Sequence, residues 1–153
     1  MKQFKDILRL TIISPELLIG CLPFLIYTFQ PSLADVFVKP IKESIGFGLG
    51  AAMIPLGLLG FCYKEGLDLL APTGAKKIIL EWPDYPMIKA RVLAIFLWCV
   101  MGSLLAFIAF FMVSTDSKPQ LAIAILVAGI LSSATATATL ALARFRMREI
   151  IGE

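Results

Sequence analysis

Four apolar stretches, residues 10–29, 44–62, 92–113 and 121–143, take up most of this 153-residue chain. Each approaches the ~20 residues with which a helix crosses a ~30 Å hydrocarbon layer. Inside such a layer every backbone N–H and C=O must be bonded within its own segment, so stretches of this kind are expected to be helical. Composition points the same way: 59% of residues are apolar and 16% charged, and the mean hydropathy of +0.88 lies outside the range of soluble domains. The expected fold is therefore an all-α integral membrane protein with four transmembrane helices, both termini cytoplasmic, and an amphipathic N-terminal segment. No small-residue cleavage site follows a short apolar core near the start, so the first span is expected to persist.

Orientation follows from the basic residues, which tend to stay on the cytoplasmic side of short loops. Eleven of the 14 fall on one side of the expected topology: Lys2, Lys5, Arg9, Lys64, Lys76, Lys77, Lys89, Arg91, Arg144, Arg146 and Arg148. Only Lys39, Lys42 and Lys118 fall on the other. The net charge of +3 is thus a topology signal, with weak attraction to anionic headgroups. No basic stripe with interleaved aromatics calls for contact with nucleic acid. The chain divides into an amphipathic interfacial helix at 1–13, a first hairpin at 14–62, a cytoplasmic loop at 63–91, a second hairpin at 92–143 and a basic tail at 144–153.

Chemistry is constrained mostly by what is missing. The chain has no histidine, which removes imidazole ligation of haem or zinc and any His-based triad. Cys21, Cys62 and Cys99 lie in or beside apolar spans without the CxxC spacing of metal and redox sites, so they are expected to be buried free thiols. Serines, threonines and carboxylates are scattered along the membrane edges and do not converge as catalysis requires. The expectation is a non-enzyme without cofactor or metal.

Phe4, Ile7, Leu8 and Ile12 share one helical face opposite Lys2, Lys5 and Arg9, an amphipathic pattern. Ser14-Pro15-Glu16 then presents an N-cap, a proline for the first helical position and an acid for the first turn. Two readings are open. A flat interfacial helix followed by a span opening at Pro15 keeps Glu16 near the headgroups, whereas one helix kinked at Pro15 draws it into the bilayer. The cap residues and the cost of an isolated intramembrane carboxylate favour the first. Residues 30–43 form an external loop whose piece 32–38 is expected to lie on the membrane surface.

The second span carries Gly46, Gly48, Gly50, Gly57 and Gly60 around Pro55, where a bend is expected. Gly46 and Gly50 have the small-x-x-x-small spacing that lets helix backbones approach closely in lipid, and Gly48 with Ala52 repeats it. The third span, rich in phenylalanine, is expected to face lipid over much of its surface. In the fourth, Gly129, Ser133, Thr137 and Ala141 make a continuous small ridge, the expected packing face. Its alternative is a narrow hydrated path, for which Glu16, Thr135 and Thr139 are the candidate lining.

The polar region 63–91 holds the turn signal Ala71-Pro72-Thr73-Gly74, compatible with a small hairpin or with a second helix continuing to about Leu70. Trp82, Asp84 and Tyr85 follow among two prolines, suited to an interfacial anchor or, with Arg144, Arg146 and Arg148, to a docking surface for a cytoplasmic protein. In layout, a short four-span chain with both ends inside and one modest cytoplasmic loop resembles the small membrane components of bacterial anti-phage systems, such as the Kiwa membrane subunit and the Rex membrane protein. That resemblance spans the whole layout and implies membrane sensing or a depolarising pore coupled to a soluble partner, in the bacterial inner membrane. The expected function is a non-enzymatic membrane subunit that forms a homo-oligomer through small-residue faces and docks a cytoplasmic partner. A small homo-oligomeric pore, and an accessory or immunity protein for another membrane protein, are the alternatives.

Overall fold

Ser14 fixes where the first helix begins. Its backbone is extended and its hydroxyl accepts the Leu17 N–H at 3.2 Å, with Pro15 opening the helix, as the cap residues predict. The computed structural model describes residues 14–70, 83 and 85–151, with side chains as far as residue 146. The amphipathic segment 1–13, Trp82, Asp84 and the Arg148 side chain lie outside the described residues. Five helices make up the described chain: α1 Pro15–Phe29, α2 Ser32–Glu43, α3 Ile45–Leu70, α4 Tyr85–Ser114 and α5 Pro119–Ile151. There is no strand among the described residues.

Helices α3, α4 and α5 are each long and apolar enough to cross a membrane, and α1 with α2 makes a fourth candidate if the pair is one broken span. Three to four candidate crossings thus stand where four are expected. The 15 residues of α1 rise only ~22 Å at 1.5 Å per residue, after which the chain turns by 105° into α2. The break lies at Gln30, which precedes Pro31 and takes φ −142°, ψ 72°; a residue before proline is pushed out of the α region. The expected surface piece 32–38 is the start of a 12-residue helix that runs through Pro40. That helix is docked on the bundle, with Ile41 buried, Asp35 accepting from Gln120 at 2.8 Å and Lys42 paired with Asp116.

Helices also outrun the apolar stretches that announced them. α3 continues to Leu70, α4 starts at Tyr85 and α5 persists to Ile151, so residues 63–70 and 85–91 of the expected loop and 144–151 of the expected tail are helix. The physical reason is that charges on these extensions meet one another: Arg144 pairs with both Glu65 and Asp68. α3 passes through Pro55 without interruption.

α5 is the hub, packed against each of the other four helices. Its small residues make this geometry accessible, because Ala128, Gly129, Ser132, Ser133 and Ala136 are all buried and leave room for neighbours on several sides. At the tightest point a Cβ placed on Gly102 of α4 would lie 2.1 Å from Ser133 Oγ and 2.6 Å from the Gly129 carbonyl. Only glycine fits there. α4 packs against α3 and α5 and buries ten residues from Ala90 to Val113, while Leu97, Val100, Leu104, Ile108 and Phe111 stay exposed along its outer side. Its phenylalanines had masked a face of Ala90, Ala94, Cys99, Gly102, Ala106 and Ala109. The α4–α5 turn places Asp116 and Lys118 in left-handed conformation, φ 58° and 49°.

Candidate functional site

The N-terminus of α1, the C-terminus of α3, the start of α4 and the last turns of α5 meet at one end of the bundle, and the polar groups collect there. Glu16, one residue after Pro15, is 0% exposed. Its Oε1 accepts from Arg91 Nη2 at 2.6 Å and from the Thr139 hydroxyl at 2.9 Å, joining α1, α4 and α5 through one atom. Its Oε2 has no hydrogen-bond partner among the described residues. Of the two readings of Ser14-Pro15-Glu16, the helix opens at Pro15 as in the first, but the carboxylate turns inward as in the second. The objection to an isolated carboxylate lapses because Glu16 is paired, which is the condition under which a buried charge is tolerated.

A second charged group ties α3 to α5. Glu65 and Asp68, three residues apart on one face of α3, flank the Arg144 guanidinium, with Asp68 Oδ2 at 3.3 Å. Nearby, the Tyr85 hydroxyl donates to the Leu70 carbonyl at 2.8 Å and satisfies an orphan acceptor at the end of α3. Deeper in the bundle, Cys62 of α3 and Cys99 of α4 are both fully buried, their sulfurs 3.6 Å apart. Thr137 Oγ1 lies 3.4 Å from Cys62 Sγ and donates to the Ser133 carbonyl at 2.8 Å. Among the described residues no group of three or more Cys, Asp or Glu is placed to hold a metal ion.

The residues singled out from sequence separate into distinct places. Glu16 and Thr139 are brought together, but facing each other inside the fold; Thr135 is half-buried and bonds back to the Leu131 carbonyl. Gly129, Ser133 and Thr137 lie in the contacts of α5 with α4 and α3. Gly46 and Gly50 face outward, with no atom of the chain within 4 Å of a Cβ on Gly50. Of the docking set, Tyr85 and Arg144 are turned to partners within the chain, whereas Arg146 is exposed. Cys21 is exposed, against the expectation that all three thiols are buried.

Arg91, Glu65 and Asp68 were missed as partners: Arg91 had counted only among the basic residues, and the two acids had not been singled out. The one signal that pointed to them is that each sits within two turns of an apolar stretch, where a helix extension would carry it into the bundle. At the other end, an apolar groove of about 490 Å³ lies in the elbow of α1 and α2 against α5, lined among others by Leu22, Ile26, Leu33, Phe37, Ile123 and Val127. The chain matches no family model, no curated protein and no solved structure.

Proposed function

We propose that the chain is a non-enzymatic integral membrane subunit that self-associates through the outer face of α3 and presents its charged end to a cytoplasmic protein. The observation that carries this reading is the division of glycines on α3. At about 100° per residue, Gly48, Ala52, Pro55, Cys62, Glu65 and Gly66 fall on one side, and all are buried. A Cβ on Gly48 would meet Ile41 at 2.8 Å and one on Gly66 would meet Phe96 at 2.8 Å. Gly46, Gly50, Met53, Gly57 and Gly60 fall on the opposite side, all exposed, and a Cβ on Gly50, Gly57 or Gly60 would meet nothing within 4 Å. Intramolecular packing therefore accounts for the first set and not for the second.

Glycine lowers helix propensity by ~1 kcal/mol relative to alanine, and in lipid its compensation is close approach of another backbone. The 4-3-4-3 spacing of the outer set is self-complementary, so a second copy related by a two-fold axis meets the same ridge. The pore alternative is less favoured, since Glu16 Oε1 and the Thr139 hydroxyl bond each other, and Arg91, inside the fold. The docking surface contracts to Arg146, Arg148 and the segment around Trp82, because Tyr85 and Arg144 serve the bundle itself. A soluble partner at this basic end is what the resemblance to anti-phage membrane subunits implies.

The test is the mass of the purified chain in mild detergent or nanodiscs, measured by light scattering. A homo-oligomer is expected, dissociating at least tenfold more readily when Gly50 and Gly57 are both changed to leucine while the thermal midpoint of the chain is kept. A monomeric wild type, or an oligomer indifferent to both substitutions, would overturn the reading.

A further inference from the structure

Cys62 and Cys99 are unused by the assembly just described, yet their thiols meet from two different helices. Their sulfurs are in van der Waals contact at 3.6 Å, both side chains are fully buried, and the neighbouring polar atoms are Thr137 Oγ1, 3.4 Å from Cys62 Sγ, and the Ser133 carbonyl, 4.0 Å from Cys99 Sγ. A disulfide needs sulfurs ~2.05 Å apart, so a closure of ~1.5 Å shared between two side chains would suffice. The residues packed beside the pair on α5 include the small Ala136 and Ser133.

We propose that Cys62 and Cys99 form an oxidisable dithiol, a modification site at which hydrogen peroxide or a comparably small hydroperoxide links α3 to α4. Burial selects the oxidant by size: a two-heavy-atom, membrane-permeant molecule can reach the pair through local fluctuations, and a bulky disulfide reagent cannot. Attack of one sulfur on peroxide breaks the O–O bond, giving a sulfenic acid and one water as the thiol proton passes to the departing oxygen. The second sulfur then displaces the hydroxyl of the sulfenic acid, forming the S–S bond and a second water with its own proton. Two thiols and one peroxide thus become one disulfide and two waters. The Thr137 hydroxyl donates to the Ser133 carbonyl and so accepts from the Cys62 thiol, which holds that sulfur beside Cys99. The product joins the two halves of the chain across the region between α3 and α4.

The test uses the full chain in nanodiscs, carrying Cys21→Ser so that the exposed thiol cannot link two copies. After peroxide treatment, the thiols titrated in detergent-denatured protein should fall from two to none, the intact mass should drop by two hydrogens, and proteolytic peptides should contain Cys62 joined to Cys99. Treatment of the denatured chain at the same dose should give at least tenfold less linkage, and Cys99→Ala should abolish it. Retention of both thiols, addition of oxygen without linkage, or equal linkage in the denatured chain would each overturn the proposal.

Discussion

Glu16 shows how one side chain can decide the register of three helices. Its carboxylate sits where α1 begins, near the positive end of the helix dipole, and holds Arg91 of α4 and Thr139 of α5. When one charge of such a pair is removed, the burial of the charge that remains determines the cost. Arg91→Met leaves a carboxylate that is 0% exposed, whereas Glu16→Gln leaves a guanidinium that is 24% exposed and can reach water. Arg91→Met should therefore be the more damaging, by about 3–5 kcal/mol, with Glu16→Gln clearly milder. The double variant Glu16→Gln/Arg91→Met should recover much of the loss. Equilibrium unfolding in detergent, analysed as a double-mutant cycle, checks this; additive losses would mean that the pair is not coupled. The charges were visible in sequence, but their pairing was not: Glu16 and Arg91 are separated by 75 positions and Glu16 and Thr139 by 123, and nothing local links them.

At the level of elements, small residues play two roles that the amino-acid pattern does not distinguish. Gly129 and Gly102 sit where α4 and α5 nearly touch, and a Cβ on Gly129 would lie 2.6 Å from the Gly102 carbonyl, a backbone atom that cannot rotate away. Gly129→Ala should therefore destabilise the chain by about 1–3 kcal/mol through overpacking. Gly50→Ala meets no atom of the chain and should be neutral or raise stability by up to ~1 kcal/mol through helix propensity. Thermal unfolding of the two variants under conditions that keep the chain monomeric separates the roles. Equal losses would place both glycines in intramolecular contacts. The ridge Gly129-Ser133-Thr137 was legible as a packing face because hydroxyls and glycine recur at one helical spacing. The inner face of α4 was not, because its alanines alternate with phenylalanines and nothing local shows which of its positions α3 and α5 cover.

For the whole molecule, the two ends differ in kind. One has Glu16, Arg91, Glu65 and Arg144 drawn into the bundle; the other has Lys42–Asp116 and Lys39–Glu43 at exposed positions, where ion pairs contribute ~0–1 kcal/mol. The proposed topology, with the basic end cytoplasmic, requires Ser117 in the α4–α5 turn and Arg146 beyond the Glu65–Arg144 pair to be on opposite sides of a membrane. In a background free of native cysteines, Ser117→Cys should react with a membrane-impermeant maleimide in intact cells, and Arg146→Cys only after permeabilisation. Labelling of both from the same side would remove the topology on which the proposed assembly stands.

Local chemistry along the chain sufficed for helix as the secondary structure of the described residues, for the cores of the three long helices though not their ends, and for the opening of α1 behind Ser14. These follow from local causes: apolar length, cap chemistry and the missing N–H of proline act within a few residues of one another. Tertiary structure alone decided that the first apolar stretch is a short helix turning by 105°, that α5 is the hub, and that the edge charges are internal partners. Those outcomes depend on which side chains from distant segments occupy the same space, and a buried charge takes whichever opposite charge the packing brings within reach.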